Sequence, residues 1–105
     1  MTDFCMKIME NAGEKLVAAC DKEIIDVELY SNGVKIKASS HFYGKELVTE
    51  KELMDAIRSC TSANVIGTRI VDLLVKNRMI HEEAVLWMDH PEDKNKKIGH
   101  AILIT

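Results

Sequence analysis

"TSANVIGTRIVDLLVK", residues 61–76, is the stretch on which the fold turns. Ala63, Ile66, Ile70, Leu73 and Leu74 recur at helical spacing, and Val65, Val71 and Val75 widen the stripe. Thr61 or Ser62 supplies a helix cap, and Asn77 in "NRM" supplies a left-handed stop. The spacing predicts one helix through about Lys76. Its apolar set is too wide for a single surface contact, so this helix is expected to be central and covered on two sides. Glycine inside a helix costs about 1 kcal/mol against alanine. Gly67 therefore needs a reason, and the close approach of a strand or of another helix supplies one. Asn64 falls in the first helical turn with Arg69 nearby, where its amide suits a loop contact or a ligand contact.

Working outward, Thr49-x-x-Glu52 is a capping box that starts a preceding helix at Glu50. Leu53, Ala56, Ile57 and Cys60 follow at i, i+3, i+4, i+7, a single clean stripe. Strand patterns flank the helical middle. Phe4, Met6 and Ile8 fall on one face of an alternating run over residues 4–9, "ENAGE" turns at Gly13, and "KLVAAC" returns as the second arm of a hairpin. Asp21 is placed to cap one helical turn over "KEIID". After an "SNG" turn at residues 31–33, Val34, Ile36 and Ala38 alternate with Lys35 and Lys37. Near the end, residues 85–88 and 101–104 read as short strands. Between them, 89–99 reads as a mobile charged loop holding the chain's proline and the cluster Lys94, Lys96 and Lys97. Strands, two helices, then strands specify an α+β single domain over 1–105, with an antiparallel or mixed sheet and two main helices on one face.

The net charge is −3 with histidines neutral. That excludes strong non-specific nucleic-acid binding and leaves room only for a local basic patch. No apolar run approaches the ~20 residues of a membrane helix. The first ten residues carry no basic-then-apolar leader, so the chain reads as cytoplasmic. Three cysteines, Cys5, Cys20 and Cys60, without CxxC spacing fit buried thiols better than a disulfide framework or a zinc ribbon. Neither GxGxxG nor GxxxxGK[ST] occurs, so nucleotide sites of those kinds have no support.

Three stretches, "FYGKELV", "SANVIGTRIVDLL" and "GHAILI", together with "LVAACD" at residues 16–21, resemble the archaeal family known as domain of unknown function 424. The likeness is densest at Phe42-Tyr43-Gly44, at Ala63-Asn64 with Gly67, and at His100-Ala101. It implies an archaeal cytoplasmic protein and no particular reaction. Association with RNA or the translation machinery is an analogy that such a small protein invites.

The candidate site residues are His41, Tyr43, Asn64, Arg69 and His100. His41 and Tyr43 belong to a corner, "SSHFYG", where Phe42 and Tyr43 point opposite ways if the backbone is extended. One ring then enters the core and the other stays outside, near free amides at a helix start. His90 and His100 bracket the charged loop. If 85–88 pairs with 101–104, the two imidazoles meet at the hairpin base beside Asp89 or Glu92, a ligand set that suits zinc. The leading expectation is a non-enzymatic binding module with a protein or ribonucleoprotein partner. The alternative is a small enzyme or metal-dependent protein using His90 and His100.

Overall fold

The computed structural model describes residues 1–93 and 95–104. Strands β1 (Thr2–Asn11) and β2 (Glu14–Asp21) form the expected hairpin, closed by Ala12 and Gly13 at φ 50° and 84°, the positive-φ pair of a tight two-residue turn. β3 (Glu28–Ser31) and β4 (Val34–Lys37) form a second hairpin. A single-turn helix α1 (Ser40–Tyr43) and a short strand β5 (Glu46–Thr49) lead to helix α2 (Glu50–Arg58). The Thr49–Glu52 capping box is formed reciprocally, so the predicted helix start holds.

The stretch 61–76 is two elements rather than one helix. Ser62–Ile66 is strand β6, Gly67 is a corner at φ 144°, and Thr68–Lys76 is helix α3. Ala63 and Val65 are buried on one face and Ile66 on the other, so the polar–apolar alternation of Ser62–Val65 ends at Ile66, and this short run equally fits helical spacing. β7 (Leu86–Asp89) and β8 (Lys97–Ile104) complete the chain. β8 begins four residues earlier than its apolar run suggested, so Lys97 and Gly99 are strand rather than loop. Lys94 of the predicted basic cluster lies outside the described residues.

The strands form one mixed sheet in the order β4-β3-β7-β8-β6-β2-β1-β5. β2 and β6 are parallel, and the other neighbouring pairs described are antiparallel. The first face buries Phe4, Val17, Ala19, Ala63, Val65 and Ala101 under α2 and α3. The second face carries Cys5, Ala18, Cys20, Ile66 and Ile98 beneath Tyr43, Ile24 and Ala38. The two main helices thus share one face, as expected, while α1 covers part of the other. Among the described residues no helix is long and apolar enough to cross a membrane.

Candidate functional site

The second face has a covered half and an open half. Side chains alternate along a strand, so Ile102, Ile104 and Leu86 lie on the same face as Ile98 and Met88. They are 61%, 79% and 67% exposed. Asn64 and His100 sit where the cover ends, both half-buried. The Tyr43 hydroxyl, reaching in from α1, donates to Asn64 Oδ1 at 2.7 Å. His100 Nε2 lies 2.9 Å from the same oxygen. A carbonyl oxygen only accepts, so the proton is on Nε2 and Nδ1 keeps a free lone pair. Burial pushes the Tyr43 phenol up to about 12, with Cys20 adding to the effect, which keeps it a donor. Burial also holds His100 below its ordinary value, which keeps the imidazole neutral.

The arrangement is a relay with one outward side. Asn64 Oδ1 is saturated by Tyr43 and His100, while Asn64 Nδ2 and His100 Nδ1 have no protein partner among the described residues and are not sealed from solvent. A donor and an acceptor therefore face out side by side from an apolar surround.

Of the candidate residues, Tyr43, Asn64 and His100 converge. His41 is exposed on α1, where its carbonyl accepts from Lys7 Nζ at 3.0 Å. Arg69 lies apart, at the start of α3 on the helical side. Its guanidinium pairs with Glu23, donates to the Asp3 carbonyl and lies over the Phe4 ring at 5.2 Å. The predicted meeting of His90 and His100 does not occur. His100 pairs with Leu86 at the start of β7, whereas His90 follows the other end of that strand, roughly 13 Å away at ~3.3 Å per residue. His90 Nδ1 instead accepts from Glu92 N. Among the described residues no group of three His, Cys, Asp or Glu side chains stands together as a metal site.

Sequence reasoning gave Asp21 the wrong partner. Its side chain does not cap the turn after β2; it reaches across to the N-terminus of α3. Oδ2 accepts from Arg69 N at 2.8 Å and Oδ1 from Ile70 N at 2.9 Å, in a position only 1% exposed. The free amides of α3 are thus already matched by an internal anion. A polar residue ending an otherwise buried strand was the available signal.

The depressed His100 value has a defined consequence for stability. The unfolded chain takes up a proton near the ordinary ~6.5 while the folded chain resists it, so stability is lost as pH falls below that value. Denaturant titrations from neutral to mildly acid pH are expected to show this loss in the wild type. The His100→Gln variant should show a shallower pH dependence, and equal slopes would mean that the imidazole is not shielded.

No curated protein matches the chain. Among solved structures, the crystal structure of an uncharacterized conserved protein from Methanopyrus kandleri is similar, with a TM-score of 0.68 and 17% identity, covering 95% of this chain and 89% of that one. At that identity the likeness concerns the fold. A family profile matches residues 9–99, which include β6, α3, Tyr43 and Asn64 and end one residue before His100, and the chain accordingly belongs to the family described as protein of unknown function (DUF424).

Proposed function

We propose that the protein is a non-catalytic binding module that docks a protein partner on the open half of the second sheet face. The observation that carries this reading is the outward donor–acceptor pair of Asn64 and His100, set among exposed Leu86, Ile102 and Ile104. Apolar area around a few oriented polar groups is the composition of an interface centre. Charge favours a protein surface over RNA as the occupant. The strand positions on this open half carry one cation, Lys7, and its ammonium is already bonded to the His41 carbonyl. A nucleic-acid platform needs several free cations and stacking aromatics. Tyr43 positions Asn64 from beneath, and His41 stands on the rim. Arg69, engaged on the far side, takes no part.

The test is capture from an archaeal lysate with wild-type and Ile102→Asp protein, each with and without ribonuclease. A partner that survives ribonuclease and is lost with Ile102→Asp supports the reading. Asn64→Ala should weaken retention by about tenfold or more, the loss of one oriented hydrogen bond at an interface centre being worth about 1–3 kcal/mol. A partner retained equally by Ile102→Asp, or released by ribonuclease, would overturn it.

A further inference from the structure

The β1–β2 hairpin places two thiols face to face. Cys5 is the register partner of Cys20, and both side chains lie on the α1 side of the sheet. Directly opposed residues of an antiparallel pair stand about 4.5–5.5 Å apart at Cα, within the roughly 4.4–6.8 Å that a disulfide spans. Both thiols are free. Their surroundings differ. Cys20 is fully enclosed, whereas Cys5, 3% exposed, lines a surface cavity of about 390 Å³. Ile25 and Leu47 give that cavity apolar walls, and Lys22, Lys45 and Asp26 give it charge. The Asp26 carboxylate, which accepts from Ser40 N at 2.9 Å, faces two ammonium groups, so the charged lining carries one net positive charge at the mouth. Cys60 belongs to the cluster on the helical face of the sheet.

We propose that Cys5 and Cys20 form a thiol–disulfide exchange site whose oxidant is a small organic disulfide bearing carboxylates. Cys5 loses its proton to solvent and its thiolate attacks one sulfur of the bound disulfide. The substrate S–S bond breaks, a first thiolate leaves and takes up a proton, and Cys5 is held in a mixed disulfide. Cys20 then loses its proton and attacks the Cys5 sulfur, expelling a second thiolate, which is protonated in turn. Two electrons pass from the dithiol to the substrate, which leaves as two thiols, and a Cys5–Cys20 bond ties β1 to β2. Burial pushes both thiols up and keeps the resting pair protonated; the hydrogen bond from Cys20 partly offsets that effect at Cys5 and adds to it at Cys20. The division of labour follows the geometry: the thiol at the cavity attacks and the enclosed one resolves.

The experiment incubates the native protein with dithiodiglycolate, which is anionic, or with cystamine, which is cationic and of similar size. The expected result is a fall from three free thiols to one, faster with dithiodiglycolate, a Cys5–Cys20 link in the peptide map, and full reversal by dithiothreitol. The Cys20→Ser variant should stop at a mixed disulfide on Cys5. A native protein that keeps all its thiols, a link through Cys60, or faster reaction with cystamine would overturn the proposal. The wild-type thiol count decides the matter even if the variant folds poorly.

Discussion

Gly67→Ala is expected to destabilise the protein by about 3–5 kcal/mol, a large share of the ~5–15 kcal/mol that holds a domain of this size. Two independent costs add. At φ 144° the backbone lies where only glycine is at ease, and a side chain there costs roughly 1–3 kcal/mol. An added Cβ would also stand 2.5 Å from Asp21 Cγ and under 3 Å from both carboxylate oxygens. That carboxylate is held by two backbone amides, so it cannot yield without giving up its hydrogen bonds; overpacking of this kind costs about 1–3 kcal/mol more. The close approach that a glycine in this stretch demanded is therefore real, but it serves a strand-to-helix corner rather than a groove along a helix. Chemical denaturation measures it, and a midpoint equal to or above wild type would refute this account.

Asp21→Ala is expected to cost about 2–4 kcal/mol, because the amides of Arg69 and Ile70 lose their acceptor and Ile70 N is buried. Asp21→Asn keeps the shape but turns one acceptor into a donor aimed at an N–H, so it too should destabilise, and by less. The pair with Gly67 gives a sharper reading. Once the carboxylate is gone the new methyl has nothing to strike, so Gly67→Ala should cost less in the Asp21→Ala background than in wild type. Additive effects in the double-mutant cycle would show that the two residues do not meet. Burial raises the Asp21 carboxyl above the ordinary range against the pull of its hydrogen bonds. The folded chain therefore keeps that proton to higher pH than the unfolded chain does. The contribution of this group falls as pH rises through the folded value, a slope that Asp21→Asn should remove.

Legibility in the sequence followed locality. The β1–β2 hairpin and the capping box of α2 were readable because turn and cap chemistry act over a few residues. β6 was misread because its alternation lasts only from Ser62 to Val65, and Ala63 and Ile66 also continue the helical spacing of Ile70, Leu73 and Leu74. The excessive width of the apolar stripe was the clue, since it fused two elements that meet at Gly67. At the site, Tyr43, Asn64 and His100 were each readable as candidates. Their union was not, because it depends on β6 and β8 being neighbours with Ile66 opposite His100. The separation of His90 from His100 came from the β7–β8 register, in which Leu86 faces His100. Asp21 was readable as a cap but not for which helix, because its partners are backbone amides that no residue type announces.

The parallel seam between β2 and β6 has a consequence in time. Leu16 pairs with Ser62 and Cys20 with Ile66, across β3, β4, α1, β5 and α2. Hairpins such as β1–β2 and β7–β8 close locally within microseconds, but the seam requires both ends of that long intervening chain to meet before any contact rewards the closure. Folding should therefore be slow for the length, in the range of milliseconds or longer, and governed by this one encounter. The residues that meet there are largely small, with Ala18, Ala19 and Ala63 fully buried, so the encounter has little bulk with which to recruit itself. Enlarging or polarising any of them should appear first as slower folding, while changes in the exposed β4 strand should leave the folding rate untouched.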